Sequence, residues 1–287
     1  MGSARLQAVR PSSVTKLYRD LMAHGGKNGR PLSPRTIEYV HAVLRKAFRD
    51  AVEVEEILST SPVEKAKRPR RESSEPGAVW TTAQLRSFLT AARDHRLWAF
   101  FHMAAYTGAR RGELLHLRWA DVDLDGRQLT ITGSAAFIDG ERIEGTTKSG
   151  RKRIVSIDEQ TTQVLRNQRK MQAEDKLKVG PEWRGASAYV FTTGWGEPIH
   201  PDTVSSLFPI LIKRHNAHNP KNSLPHARLH DLRHIHATTL LLAGVPVHVV
   251  AARLGHADPS ITLRVYAHVI RAAEASAADI FAQAINE

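Results

Sequence analysis

The sequence predicts a mainly α-helical fold with a small antiparallel β-sheet (α+β), divided into two domains. Apolar residues recur at helical spacing over most of the chain, three short β-type runs lie between residues 128 and 157, and a segment rich in proline and basic residues follows the first quarter. Helical spacing indicates amphipathic helices, and short runs bounded by turn residues indicate strands. We therefore expect a domain over residues 1–66, a basic linker over 67–78 and a larger domain over 79–287.

The N-terminal domain is expected to contain two helices. The first covers residues 12–23 and precedes a glycine-rich turn, and the second covers residues 33–57. Ser33 can cap the second helix because its hydroxyl can accept a backbone N–H bond, and Pro34 suits the first helical turn. Its apolar positions have the spacing of one helix face. They are Ile37, Val40, Leu44, Phe48 and Ala51.

A linker is predicted for "SPVEKAKRPRRESSEPGAV", residues 61–79, which holds three prolines, a glycine and three serines. Its basic cluster can be merely solvated, can follow the phosphates of DNA, or can serve as a nuclear-import signal. With three arginines of the second helix, this cluster makes up the candidate DNA contacts. The full set is Arg35, Arg45, Arg49, Lys65, Lys67, Arg68, Arg70 and Arg71.

The second domain is predicted to begin near Trp80 with a helix whose capping box is Thr81 and Gln84. A buried helix over residues 96–106 ends at Gly108. Strands are expected at "QLTIT" (128–132), "AAFID" (135–139) and "RIVSI" (153–157), with "TTKSGR" as the turn of a hairpin between the last two. From residue 159 onward the pattern is mostly helical.

Composition narrows the class of protein. The chain has 41 Lys and Arg against 29 Asp and Glu, a net charge of +12, which favours a polyanionic partner, most commonly nucleic acid. A basic protein without such a partner is the alternative. Cysteine is absent, which excludes disulfides and thiolate metal sites. The longest apolar stretch is too short to cross a membrane, so we expect a soluble protein with no membrane partner.

The stretch "RLHDLRHIHATTLL", residues 228–241, places three histidines and two arginines in its first nine positions. His230 and His234 have the spacing of a helical zinc site, whereas His230 and Arg233 suit a pocket for an anion. An ordinary basic helix is the third possibility. The stretch alone does not decide among them.

Four other short motifs carry candidate functional residues. "TGARRGE" places Arg110 after Gly108, "TKSGR" contains Lys148, "LGH" contains His256, and "DPSITLRVY" ends at Tyr266. Each motif alone is more typical of ordinary structure, such as a helix end, a solvated turn or a packed tyrosine.

Taken together and in this order, "TGARRGE", "TKSGR", "HDLRH", "LGH" and the tyrosine ten residues later resemble the signature of the tyrosine recombinases, the phage-integrase family. The resemblance covers residues 79–287. More loosely, "LSPRTIEYVHAVLRKAF" resembles the family's helical, SAM-like core-binding domain. The implied architecture is a two-domain clamp around DNA. Its core-binding domain is expected to be short at the N-terminus, with no room for the arm-type DNA-binding domain of many integrases.

The resemblance assigns roles residue by residue. Tyr266 is the nucleophile, Arg110 and Arg233 hold the phosphate oxygens, His230 is the candidate base, His256 is a further donor, Lys148 is the general acid and Glu113 supports the pocket. Arg111 has no catalytic counterpart, and His234 and His236 are expected to be structural or to contact the DNA backbone. The arginine of "HDLRH" would repel a cation, and only Asp231 offers a further ligand, on the wrong face for His230, so the stretch is interpreted as a phosphate clamp. No metal and no cofactor are expected.

The implied activity is that of a site-specific recombinase, which cleaves and rejoins DNA strands through a 3′-phosphotyrosyl intermediate. Such an enzyme integrates or excises a phage or mobile element as a homotetramer on two duplexes, passing through a Holliday junction, and accessory DNA-bending proteins can take part. The expected location is the cytoplasm of a bacterial or phage-infected cell, on DNA.

An apolar stripe after Tyr266 suits docking on a neighbouring protomer, or equally on its own chain. The stripe consists of Ile270, Ala273, Ala277, Ile280, Phe281 and Ala284. A type IB topoisomerase is the nearest alternative function. A non-catalytic DNA-binding protein and a histidine-metal hydrolase are the more distant ones.

Overall fold

The structure is a computed structural model that describes residues 4–68, 80–147, 150–185 and 188–260, with six further positions: 262, 263, 266, 281, 282 and 285. The chain divides into two compact units, Met1–Gly77 and Ala78–Glu287. None of the described helices is both long enough and apolar enough to cross a membrane. The boundary between the units lies inside the segment expected to be a linker.

The first unit is built on two helices, α1 (Pro11–His24) and α2 (Pro34–Glu53). The predicted cap is present, since the Thr36 N–H donates to the Ser33 hydroxyl at 3.2 Å. The second helix ends four residues earlier than predicted, and Glu56 then takes a left-handed φ of 52°. The core of this unit consists of Val14, Tyr18, Ile37, Phe48 and Val63.

The position of Val63 corrects the prediction that the linker starts at residue 61; the domain predicted over residues 1–66 includes this residue. Its side chain is fully buried in the core of the first unit, although it lies within the proline-rich segment expected to be a linker from residue 61. A few residues later the Lys67 N–H donates to the Thr15 hydroxyl on α1. The first part of the segment is therefore folded onto the helices. Arg70 and Arg71 lie outside the described residues.

The second unit holds seven further helices and two small sheets among its described residues. The helices are α3 (Thr82–Ala91), α4 (Trp98–Thr107), α5 (Arg111–His116), α6 (Glu159–Val179), α7 (Pro201–His218), α8 (Asp231–Leu242) and α9 (Val247–Leu254). The predicted capping box at Thr81 and Gln84 starts α3. Gly108 ends α4, as predicted, and takes the left-handed conformation there.

The strands are β1 (Val122–Asp123), β2 (Gln128–Ile131), β3 (Ser134–Ile138), β4 (Glu141–Gly145) and β5 (Arg153–Ser156). One antiparallel sheet has the order β1-β2-β5, and β3 pairs with β4 in a separate antiparallel hairpin. The prediction that "TTKSGR" closes a hairpin between β3 and β5 was wrong. The chain forms β4 first, so the connection that follows joins strands of different sheets.

Aromatic side chains join α3, α4 and α7 in the core of the second unit. Phe88, Phe101 and Phe208 are buried, and the rings of Phe88 and Phe208 meet edge to face at 4.8 Å. Edge-to-face pairs add to the free energy gained by burial alone. These helices carry the segment that leads into Arg110, so the core fixes the start of the candidate site.

Removing one of these rings is expected to destabilise the second unit selectively. Phe208→Ala should lower its free energy of unfolding by about 3–5 kcal/mol, because a fully buried ring is removed. Ile210→Ala, on the exposed side of the same helix, should change it by less than about 0.5 kcal/mol. All five tryptophans, at positions 80, 98, 119, 183 and 195, lie in this unit. Urea unfolding followed by tryptophan fluorescence therefore reports on it. Equal effects of the two substitutions would contradict this account of the core.

Candidate active site

Four of the candidate catalytic residues lie at or near the ends of helices in the second unit. Arg110 precedes α5, His230 precedes α8, Arg233 is in the first turn of α8, and His256 follows α9. Tyr266 is helical and buried. Helix ends present backbone groups that the helix itself does not satisfy, so they can bind and orient charged side chains.

Two left-handed glycines hold Arg233 in place. Gly108 ends α4 with φ of 63°, and Gly255 ends α9 with φ of 70°. The Arg233 guanidinium donates to the Gly108 carbonyl at 2.7 Å and to the Leu254 carbonyl at 2.8 Å. Both acceptors lie at helix C-termini, where the helix dipole favours a cation. Arg233 is only 4% exposed, and burial lowers its pKa to about 9, so it remains charged at neutral pH.

A buried carboxylate organises two further arginines. Glu113 is 1% exposed and receives a bidentate pair of bonds from Arg153, at 3.0 and 2.7 Å. The Arg110 guanidinium donates to the same carboxylate at 2.9 Å, and the Arg110 N–H donates at 2.8 Å. Burial alone would raise the pKa of Glu113, but these bonds and the positive charges lower it overall. The carboxylate is therefore ionised and fixes both guanidinium groups.

The environment of His256 determines its tautomer. Its Nε2 lies 2.9 Å from an Arg233 nitrogen, and its Nδ1 lies 2.6 Å from the Thr262 hydroxyl. A guanidinium can only donate, so Nε2 accepts and Nδ1–H of the neutral ring donates to Thr262. Burial and the nearby arginines lower the pKa of His256 to about 4. The ring of His256 is therefore neutral at physiological pH.

Tyr266 is held by a histidine that the sequence motifs did not assign to the site. Its hydroxyl lies 2.8 Å from Nδ1 of His234, and its ring packs with Ala237, Val250 and Leu254. The tyrosine is 3% exposed, and burial raises its pKa to about 12, against a small lowering by Arg233. His234 was expected to be structural or to contact the DNA backbone. The structure places it within hydrogen-bonding distance of Tyr266, the candidate nucleophile.

His230 lies beside this pair. Its ring meets the His234 ring edge to face, with centroids 5.0 Å apart. Burial, followed by the charges of His234 and Arg233, lowers the pKa of His230 to about 4. His230 therefore adjoins both the histidine on Tyr266 and Arg233, and it is neutral at physiological pH.

Two neighbouring residues of these motifs take part in structural contacts. Arg111 reaches α7, donating to the Ser205 hydroxyl at 2.7 Å. His236 accepts from Arg253 at 3.0 Å, and Arg253 also donates to the Tyr106 carbonyl of α4. These contacts hold α7, α8, α9 and α4 around the site.

Arg153 is the site residue that the motifs did not indicate. Besides binding Glu113, it donates to the Arg253 carbonyl, and its guanidinium lies 2.6 Å from where a Cβ on Gly255 would be. Gly255 is thus required both by its backbone conformation and by this contact. The available signal was an arginine at the start of β5, two residues before the buried Val155, hence on the inward side of the strand.

The other candidate residues either lie outside the described part of the chain or belong to the exposed surface. Lys148 and its neighbour at 149 lie outside the described residues, as does most of the C-terminal apolar stripe. The one described member of the stripe, Phe281, is 69% exposed. The described candidate DNA contacts are all exposed. They are Arg35, Arg45, Arg49, Lys65, Lys67 and Arg68.

The cluster as a whole suits an anion. Three guanidinium groups, of Arg110, Arg153 and Arg233, are grouped around one carboxylate, so positive charge is left in excess. Within the described part of the chain, no group of three or more His, Asp or Glu side chains could hold a metal ion. The geometry therefore favours the phosphate clamp among the three possibilities raised by "HDLRH".

The chain is similar to known proteins over most of its length. The sequence profile of the phage integrase family matches residues 79–272, which include all of the candidate catalytic residues. The chain is 28% identical to the tyrosine recombinase XerC-like protein of Caldanaerobacter subterraneus over 285 residues, covering 93% of this chain and 69% of the relative. It is 27% identical to the ICEBs1 integrase of Bacillus subtilis, covering 92% and 68%.

Solved structures show the same fold at lower identity. The Tn1549 transposon integrase, in complex with a circular intermediate DNA, is similar with a TM-score of 0.76 at 21% identity, over 92% of this chain and 83% of that one. A lambda integrase tetramer bound to a Holliday junction is similar with a TM-score of 0.60 at 17% identity, over 92% and 66%. The chain belongs to the phage integrase family and is a site-specific DNA recombinase of the tyrosine recombinase type.

Proposed function

We propose that the chain cleaves a DNA strand by attack of Tyr266 on a phosphodiester held by Arg110 and Arg233. The observation that carries this proposal is the convergence of Arg110, Arg233, His256 and Tyr266 on one cluster, although they come from well-separated parts of the sequence. Arg233 contacts His256 and interacts electrostatically with Arg110 and Tyr266. These interactions support a common target for all four side chains.

Arg110 and Arg233 stabilise the transition state through its charge. As the tyrosine oxygen adds to phosphorus, negative charge grows on the non-bridging oxygens, and two fixed guanidinium groups offset it without having to reorganise. Glu113 and Arg153 hold Arg110 in position. The contacts of Arg233 with Gly108, Leu254 and His256 use three of its five N–H donors.

His256 is the proposed further donor to the phosphate, and it must change state for that role. Its Nε2 accepts from Arg233, so the ring presents no proton there. An entering phosphate that takes over the Arg233 donor would free Nε2 and would favour the protonated ring electrostatically. His256 would then donate to a non-bridging oxygen.

The leaving group requires an acid. A 5′-alkoxide is strongly basic, so its oxygen must gain a proton as the P–O bond breaks. Lys148, which lies in the motif "TKSGR", is the proposed proton donor. The tyrosine hydroxyl must lose its own proton to a base, for which α8 and its N-cap offer His230 and His234.

The proposed partner is double-stranded DNA, contacted by a core-binding unit over residues 1–66 and by a catalytic unit over 79–287, with 67–78 as the linker. By analogy with the lambda integrase tetramer on a Holliday junction, the active assembly is proposed to be a homotetramer on two sites. The C-terminal stripe is the proposed docking segment. Relatives from phages and mobile elements support integration and excision of such an element as the biological reaction, on DNA in the bacterial cytoplasm.

The nucleophile can be tested by removing one oxygen. Tyr266→Phe should bind DNA with near-normal affinity but form no covalent adduct, because only the hydroxyl is removed. The substrate is a nicked suicide duplex recovered by covalent capture with the wild-type protein from a pool of random sequences. A denaturing gel that shows an adduct with the phenylalanine variant would reject the assignment of Tyr266 as the nucleophile.

Binding should depend strongly on salt. A protein that contacts roughly 6–10 phosphates loses about 10³- to 10⁵-fold in affinity between 50 and 200 mM salt. Alanine at Lys65, Lys67, Arg68, Arg70 and Arg71 should flatten the plot of log affinity against log salt, by about one unit for each phosphate that the variant no longer neutralises.

The matched control removes the same charge from exposed positions on α6. It carries alanine at Arg166, Arg169, Lys170, Lys176 and Lys178. If both variants change the slope equally, only net charge matters and the linker is a spacer.

The role of Lys148 can be separated from its charge by a sulfur substitution. A 5′-bridging phosphorothiolate releases a thiolate, whose conjugate acid has a pKa of about 8.5, so it needs no acid. Lys148→Ala should therefore cleave ordinary DNA slowly and recover on the sulfur substrate. Arg110→Ala should stay impaired on both, because it acts on the non-bridging oxygens.

Lys152→Ala is the matched control, since it removes one positive charge from the same connection before β5. It should cleave ordinary DNA at close to the wild-type rate. Equal slowness of Lys148→Ala on oxygen and sulfur substrates would make the lysine a binding residue, with His256 the next candidate acid.

A further inference from the structure

We infer that His234 accepts the proton of Tyr266 during strand cleavage and returns it during strand joining. The inference rests on the proposed function, since it concerns the same nucleophile. It adds a catalytic residue that the motif comparison left without a role and that replaces His230 as the base.

Geometry is the first argument. A general base must lie within about 2.6–3.2 Å of the atom that carries the proton. Nδ1 of His234 lies 2.8 Å from the Tyr266 hydroxyl, within that range. His230, one helical turn earlier, contacts the His234 ring edge to face. His230 is therefore placed to orient the base rather than to act as it.

The protonation states are consistent with this role. Tyr266 is buried and its raised pKa keeps the hydroxyl protonated, so the reaction cannot rely on free phenolate. Burial lowers the pKa of His234, with Asp231 opposing and Arg233 adding to the effect, so its imidazole is neutral and can accept. A neutral acceptor beside a protonated donor is the ground state that general-base catalysis requires.

The proton and electron balance is complete. In cleavage, the hydroxyl proton passes to Nδ1 of His234, the phenolic oxygen forms a bond to phosphorus, and the P–O5′ bond breaks. Its electron pair leaves with the 5′ oxygen, which takes a proton from the general acid. In joining, a 5′-hydroxyl loses its proton to that acid's conjugate base and attacks phosphorus. The released phenolate then recovers its proton from His234.

The pH dependence follows from the groups around His234. The charged and titratable neighbours are Arg228, His230, Asp231, Arg233, His256 and Tyr266. Because only the neutral ring accepts a proton, the wild-type cleavage rate should fall as pH drops through the lowered pKa of His234. Above that pKa the rate should level off.

The decisive variant is His234→Asn, in which Oδ1 can occupy the position of Nδ1 and accept a hydrogen bond but cannot take up the proton. Single-turnover adduct formation on the captured suicide duplex should slow by about 10²- to 10⁴-fold. It should also gain a dependence on hydroxide, rising about tenfold per pH unit under alkaline conditions. On the 5′-thio substrate the defect should persist, unlike that of Lys148→Ala.

His230→Asn, one helical turn earlier, is the matched control. It should retain the wild-type form of the pH profile, even if its rate is lower. The inference is overturned if His234→Asn cleaves as fast as the wild type or faster, which would make His234 a holding contact. It is also overturned if His230→Asn, and not His234→Asn, acquires the hydroxide dependence.

A measurement on the free protein tests the same inference without a DNA substrate. In a sample with ¹⁵N-labelled histidine, Nδ1 of His234 should have the resonance of an unprotonated acceptor and should shift in Tyr266→Phe. A protonated Nδ1 would mean that His234 donates to the tyrosine, which overturns the inference. If the wild-type protein forms no adduct with any duplex, the proposed function fails, and this spectrum still decides the direction of the hydrogen bond.

Discussion

The arrangement of the candidate site depends on the buried carboxylate of Glu113. A buried charge is tolerated only when it is paired, and removing one partner of such a pair costs about 3–5 kcal/mol. Glu113 is paired with Arg153 from β5 and with Arg110 at the start of α5. It therefore joins sheet and helix, and its negative charge allows arginines to approach one another. Without it, Arg110 and Arg233 would repel each other at the position proposed for the phosphate.

Much of the fold follows from local sequence signals. The caps at Ser33 and Thr81 and the glycine that ends α4 formed as predicted, because each depends on residues within one helical turn. The strand β4 was missed because its burial alternates between exposed and half-buried residues, without an apolar face. It is held by pairing with β3 and by Glu144, which accepts from Arg118 at 3.0 Å. Partners that are distant in the sequence leave no local sequence pattern from which the strand could be predicted.

The site residues also fall into two groups: those found from sequence motifs and those found only in the structure. The motifs that hold Arg110, His230, Arg233, His256 and Tyr266 were found by their order, which the family resemblance supplied. The contacts of Arg153 with Glu113 and of His234 with Tyr266 span 40 and 32 residues. Neither pair is visible in a short motif, because each pair is brought together by the packing of elements that are distant in the sequence. The buried Val63 in a proline-rich segment was missed for the same reason.

The burial of Tyr266 also bears on how such a protein handles the rest of a genome. A basic protein spends most of its time on DNA that is not its target, held by phosphate contacts alone. In this structure Tyr266, the proposed nucleophile, is 3% exposed, and burial raises the pKa of its hydroxyl to about 12, so the hydroxyl is un-ionised. On the proposed mechanism, a hydroxyl that keeps its proton makes scanning chemically silent until a bound phosphate and the base act on it together. Fidelity would thus reside partly in the resting enzyme, before any base sequence is read.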